Sequence, residues 1–229
     1  MNKILTKNLS KQNILIDNHG RTINYLRLSV TDRCNYRCTY CMPEKMKFLP
    51  KKDLLTFEEM DHLCSLFISR GIKNIRLSGG EPLVRKGILK FISNLSRYIS
   101  NGDIDEITLT TNGSQLKSFS DDLFQSGVRR INVSLDSLSE KKFNQITRRD
   151  DLNNVIDGLE AAKKAGLKIK INTVVIKNKN LDEIENIISW SHKNNFDISL
   201  IETMPMGLTD KERIYLFISL SDVKSIIEK

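Results

Sequence analysis

Long apolar runs are missing from this sequence, so no segment is long enough to span a bilayer. The N-terminal stretch Met1-Asn2-Lys3-Ile4-Leu5-Thr6-Lys7-Asn8 lacks the apolar h-region of a secretory signal. Together these absences point to a cytoplasmic protein with no membrane partner. Internal repeats and low-complexity tracts are absent too, and aromatic residues do not interleave with basic ones, which leaves no case for RNA or DNA. The net charge of +8 suits anionic partners such as nucleotides, but the lysines are scattered and most of the excess reads as a basic surface. Cysteine is scarce, at four in 229 residues, and three of the four fall within eight positions. In a reducing compartment that clustering argues for a metal or redox site over disulfides. The length allows one domain with a substantial core.

The crowded cysteines lie in Thr31-Asp32-Arg33-Cys34-Asn35-Tyr36-Arg37-Cys38-Thr39-Tyr40-Cys41-Met42-Pro43. Thiolates spaced C-x3-C-x2-C on one short loop can converge on one inorganic centre, and soft sulfur selects zinc, Cu(I) or an iron-sulfur cluster. A closed structural site needs four ligands. No nearby His or Cys offers itself, since Cys64 lies more than twenty residues on in a helical pattern whose apolar face could bury it. The loop therefore reads as a cluster with one open iron, able to chelate the amino and carboxylate groups of S-adenosylmethionine (SAM). The plainer alternatives are a three-cysteine site completed by a partner, or unrelated buried thiols.

Along the chain, Asn18-His19-Gly20-Arg21 predicts a turn, and the alternation of residues 23–30 predicts a first strand with the cysteine loop at its C-terminal end. Thr56-Phe57-Glu58-Glu59 resembles a capping box displaced by a residue, opening a helix whose spacing rests on Leu63, Leu66 and Phe67 and which stops at Gly71. A second strand, 73–78, runs into Gly79-Gly80-Glu81-Pro82, where adjacent glycines let backbone approach a ligand. Further helices are expected over 87–100, 115–126, from 151 towards Gly166, and over 181–194; further strands over 105–110, 130–135, 167–175 and 197–203. Strands alternating with helices predict βαβ units, a parallel sheet and an α/β fold curled into a partial (βα)6 TIM-like barrel. This core occupies 18–207, after an irregular segment 1–17 and before a C-terminal segment 208–229 in which Leu220-Ser221-Asp222-Val223-Lys224 suggests a cap and a short helix.

C-x3-C-x-Y-C resembles the signature of the radical SAM superfamily. T-D-R-C-N-Y-R-C-x-Y-C-M-P is narrower and closely resembles the GTP 3',8-cyclase family, the molybdenum cofactor biosynthesis protein A group of lyases. The resemblance covers about residues 18–207. It implies a [4Fe-4S] cluster on Cys34, Cys38 and Cys41, and SAM contacts from Tyr40, Gly79, Gly80, Glu81, Ser134 and Met204. It implies GTP contacts from Arg27, Arg76, Thr110 and Lys170. The implied activity uses the cluster to cleave SAM to a 5'-deoxyadenosyl radical, which rearranges GTP to (8S)-3',8-cyclo-7,8-dihydroguanosine 5'-triphosphate. No side chain is assigned as catalytic, because SAM supplies the radical.

Two departures fall on the substrate side. The family's C-terminal second cluster, its neighbouring arginines and the terminal Gly-Gly tail have no counterpart, since no cysteine follows Cys64, and Ser199 stands where the family usually has Arg. A shortened form is therefore expected, with an electron donor as partner and a homodimer or other partner over the open barrel edge. A radical SAM enzyme acting on another substrate, or a shortened form inactive as a cyclase, is the alternative, and a non-catalytic metal-binding partner module is the rival of a different class.

Overall fold

The computed structural model describes residues 14–204 and 215–228. The N-terminal stretch examined for a secretory signal and Pro205-Met206-Gly207 lie outside the described residues. Six strands, β1 (Tyr25–Ser29), β2 (Asn74–Ser78), β3 (Glu106–Thr111), β4 (Arg130–Ser134), β5 (Lys168–Val175) and β6 (Asp197–Glu202), form one sheet in sequence order. Every pairing is parallel, so β1 and β6 are the two edges of an open sheet. The expected strands are all present, with ends shifted by up to two residues. Helices α1 (Phe57–Ile68), α2 (Ile88–Ser100), α3 (Leu116–Gln125), α4 (Glu140–Thr147), α5 (Leu152–Lys164) and α6 (Ile184–Lys193) fill the crossovers, and α7 (Leu220–Ile227) follows the last strand.

Side-chain alternation divides the sheet into two unlike faces. Ile75, Leu77, Ile107, Leu109, Ile131, Val133, Ile169 and Ile171 are fully or almost fully buried and form one core with helix residues such as Phe91, Leu95, Leu116, Leu123, Val155 and Leu159. Burying each such side chain contributes about 1.5–3 kcal/mol. A smaller cluster of Val175, Ile184, Ile187, Ile218 and Val223 seats α6 and α7 at the β6 end. The intervening strand residues, among them Arg27, Arg76, Thr108, Thr110, Arg130, Asn132, Lys170 and Asn172, face the other way. That concave face is polar almost throughout.

Three local details depart from expectation. The capping box of α1 is in register: the Thr56 side chain accepts from the Glu59 N–H, and the Glu59 carboxylate accepts from the Thr56 N–H. The helix buries Met60 and Cys64, one turn apart, while Leu66 is 49% exposed and Phe67 also faces solvent. Apolar spacing alone could not say which stripe meets the sheet. Finally, α4 was not anticipated; it is short, polar on its outer side, and buries only Phe143, Ile146 and Thr147.

Candidate functional site

Register places the expected substrate contacts on one surface. Arg27 pairs with Arg76 across β1 and β2, Thr110 pairs with Asn132 across β3 and β4, and Asn132 pairs with Lys170 across β4 and β5. The guanidiniums are pre-oriented, since Arg27 Nε donates to Ser78 Oγ (3.1 Å) and Arg76 Nε to Thr108 Oγ1 (3.4 Å), with Arg76 also 5.3 Å from the Tyr25 ring centre. Among the described residues Arg27, Arg76 and Lys170 form no ion pair with a carboxylate, in contrast to Arg130, which the register puts level with the two arginines. Arg130 is held in a fork by Glu106, with Nε at 3.0 Å and Nη2 at 2.7 Å. That fork raises the arginine's pKa and occupies its charge. Three cations on this face are thus without a carboxylate partner among the described residues. Ser199 pairs with Asn172, which pairs with Ser134, so the expected family arginine is replaced by a hydroxyl near the rim of the same face.

The cysteine loop closes the mouth of this face at the C-terminal end of β1. The Cys41 and Met42 N–H groups both donate to the Cys38 carbonyl, and the loop is pinned to α4 by Arg37 N–H to Thr147 O (3.0 Å) and Thr39 N–H to Ile146 O (2.9 Å). Arg37 Nη1 bridges the Cys34 and Tyr36 carbonyls, and Arg149 Nε reaches the Asn35 carbonyl. The unexpected helix α4 is therefore a clamp for this loop. Cys34 and Cys38 are half-buried and Cys41 is exposed. Among the described residues no group of three or more His, Cys, Asp or Glu side chains is disposed to hold a metal ion.

The thiols nonetheless sense one another. Burial raises the Cys34 pKa, and the charges of Glu81 and Cys41 raise it further. Burial lifts Cys38 well above the ordinary thiol range, with Asp136, Cys41 and Cys34 adding to it. Three neighbouring thiolates in such surroundings are unfavourable unless a cation shares them. A soft, positively charged iron centre fits that donor set. Cys64 is buried in the main core, its thiol pushed up to about 12 chiefly by burial, and serves packing.

Gly79 and Gly80 lie directly beneath the loop. A β-carbon built on Gly79 would come within 2.4 Å of the Thr31 carbonyl oxygen, and one on Gly80 within 2.2 Å of that of Arg33. Instead Gly80 N–H donates to Thr31 O (2.7 Å) and Glu81 N–H to Arg33 O (2.8 Å). Glu81 turns inward and is buried; its carboxylate accepts from Leu83 N–H, the Thr111 hydroxyl and Asn112 N–H. The Asn112 amide then donates to Asn35 Oδ1 (2.8 Å) and sits 3.9 Å from Cys34 Sγ. A network from the glycine turn through the end of β3 thus reaches the first cysteine.

On the opposite flank the Tyr40 hydroxyl donates to Asp136 Oδ2 at 2.7 Å, and Asp136 Oδ1 accepts from Val174 N–H. Burial pushes the Asp136 carboxyl up to about 6 despite these donors. Ser134 ends β4 on the concave face, and Met204 lies just past β6 and is exposed. The structure thus gathers Tyr40, the glycine turn, Ser134 and the cysteines around the top of the sheet. Sequence reasoning did not single out Asp136, Asn112 or Asn132 as functional residues. For Asp136 and Asn112 a position directly after a strand was the available signal; for Asn132 only the register with its neighbours reveals it.

A family model described as the radical SAM superfamily matches residues 28–191. Curated GTP 3',8-cyclases from Brucella ovis and Brucella canis are each 56% identical over 211 residues, covering 92% of this chain and 61% of theirs. The chain thus spans about three-fifths of the length of these curated relatives. Among solved structures, Streptococcus suis SuiB bound to precursor peptide SuiA has a TM-score of 0.73 at 19% identity over 90% of this chain and 44% of that one. A structure titled anSMEcpe with bound AdoMet has a TM-score of 0.69 at 18% identity over 86% and 54%. At these identities the two structures establish a shared fold.

Proposed function

The chain belongs to the radical SAM superfamily, and from that membership we propose that Cys34, Cys38 and Cys41 hold a [4Fe-4S] cluster whose open iron takes SAM, in an enzyme of the GTP 3',8-cyclase type. Cys34, Cys38 and Cys41 would hold the cluster, and with SAM bound it would supply the one-electron chemistry that abstracts hydrogen from the ribose of GTP and so permits cyclisation onto the base. The chain's own residues bind and orient. Arg27, Arg76 and Lys170 grip the triphosphate with charge-assisted hydrogen bonds, the two arginines already aimed by Ser78 and Thr108. Thr110, two strands from Lys170 with Asn132 between them, adds a neutral contact. Tyr40, Gly79, Gly80, Ser134 and Met204 line the SAM side, with Glu81 holding the glycine turn in place through its backbone and Thr111 bonds. An electron donor is required from outside the chain. Positioning two reactants on one rigid face supplies the catalytic advantage.

One observation carries this reading: three cations with no carboxylate partner among the described residues lie on the face that the cysteine loop overhangs. Anaerobic reconstitution with iron and sulfide, followed by measurement of 5'-deoxyadenosine with and without GTP, tests it. GTP-dependent hydrogen abstraction is expected. No SAM cleavage under a strong reductant refutes the radical reading. Turnover stimulated by another polyanion but not by GTP favours the second reading, a radical SAM enzyme on a different substrate, which Ser199 near the rim supports.

A further inference from the structure

We propose that Asn132 is a specificity-determining contact of the concave site, its side-chain amide taking a ribose hydroxyl of the bound nucleotide. The inference rests on the nucleotide reading above and assigns a residue that neither motif nor resemblance singled out.

Asn132 sits at the middle of β4 and is 3% exposed. Its neighbours Ile131 and Val133 belong to the main core; Val133 packs so close to Gly113 that a β-carbon there would meet it at 3.0 Å. Asn132 therefore projects to the opposite face, with Thr110 on one side and Lys170 on the other by strand register. Its Oδ1 is buried without a hydrogen-bond partner, and among the described residues no bond is made by either end of the amide. Buried side-chain amides are almost always satisfied, so an unsatisfied one facing a ligand surface marks a partner that arrives with the ligand.

The chemistry of that partner can be narrowed. Phosphate oxygens at neutral pH only accept, and Lys170 beside Asn132, with Arg27 and Arg76 further along the same face on β1 and β2, are the donors suited to them. An amide oxygen needs a donor. A hydroxyl both donates and accepts, so it satisfies the amide in either of its two flipped orientations. On a nucleoside triphosphate the groups of that kind next to the phosphates are the ribose hydroxyls. SAM carries a ribose as well, and Ser134, two residues along the same face, is the expected SAM contact; the Thr110–Lys170 flank favours the nucleotide.

Isothermal titration of the chain under anaerobic conditions, wild type against Asn132→Ala, separates these sources, with GTP, 2'-deoxy-GTP, 3'-deoxy-GTP, inorganic tripolyphosphate and SAM as probes. The expected result is about tenfold weaker GTP binding by the variant, with one deoxy analogue bound equally by both proteins and tripolyphosphate unchanged. Thermal unfolding without ligand is expected to leave Asn132→Ala at or above the wild-type midpoint, because an unsatisfied acceptor is removed. Unchanged GTP binding overturns the inference, as does equal weakening towards tripolyphosphate, weakening confined to SAM, or a lowered melting midpoint with uniformly poorer binding. A wild type that binds neither GTP nor tripolyphosphate removes the nucleotide reading itself; one that binds GTP no better than the variant does removes this inference alone.

Discussion

A methyl group at Gly80 would have to share space with the Arg33 carbonyl, and neither backbone can yield without moving the cysteine loop. Gly80→Ala is expected to cost roughly 2–4 kcal/mol in denaturant unfolding and to lower iron loading on reconstitution. Gly20, at φ +77° with nothing within 4 Å of an added β-carbon, is the control; Gly20→Ala costs only about 1 kcal/mol. Glu81 offers a pH test at the same scale. It is 1% exposed, and burial pushes its carboxyl up to about 7 from 4.5 in spite of its three donors. The native protein therefore keeps a proton that the unfolded chain releases earlier. The stability contributed by protonated Glu81 is full below about pH 4.5 and falls, by about 3 kcal/mol in all, as the pH rises through about 7. Glu81→Gln is expected to flatten this slope between those limits, with a constant offset for the misplaced amide hydrogens. Parallel slopes in the two proteins would show that the carboxyl titrates as if exposed.

Among the elements, α1 and α4 show how little of a helix's role lies in its own sequence. The start of α1 is local chemistry: Thr56 and Glu59 satisfy each other's backbone N–H at 3.1 and 2.7 Å, so Thr56→Ala should cost about 1 kcal/mol and Thr56→Ser much less, measured by urea midpoint at constant m-value. Its buried stripe is another matter. Both the Met60–Cys64 and the Leu63–Leu66–Phe67 stripes obey helical spacing, and contact with α2 selects the first, with Phe57 stacked on Phe91 at 4.8 Å between ring centres. The eight residues of α4 carry too weak a periodic signal to be read in advance; the helix is held by Phe143 edge-on to Tyr36 and by the two backbone bonds to the cysteine loop.

For the molecule as a whole, the strand register gathers Arg27, Arg76 and Lys170 on one face of the sheet. Arg76→Ala is expected to weaken tripolyphosphate binding about tenfold, and raising the salt should weaken wild-type binding more steeply than that of the variant. Cluster assembly tests the other half of the site. Anaerobically reconstituted protein should unfold at a higher temperature than the metal-free form, since a group bound only by the native state stabilises it by mass action, and Cys38→Ser should abolish the difference. Equal midpoints for loaded and metal-free wild type would separate the cysteine loop from the fold's stability.

By itself the sequence determined the βα alternation, the parallel sheet, the strand-end motifs and the three-thiol loop, because these depend on periodicities of two and 3.6 residues and on spacings within one short segment. It could not determine which polar strand residues share a level, since strand register is set by packing between segments some thirty residues apart in the chain. Tertiary structure alone therefore put Asn132 between Thr110 and Lys170, forked Arg130 onto Glu106 while leaving Arg27 and Arg76 without a carboxylate partner among the described residues, and buried Glu81 beside the glycine turn. The underlying reason is that a side chain's charge and hydrogen-bonding capacity are read from its type, whereas whether they are already spent depends on neighbours brought up by the fold.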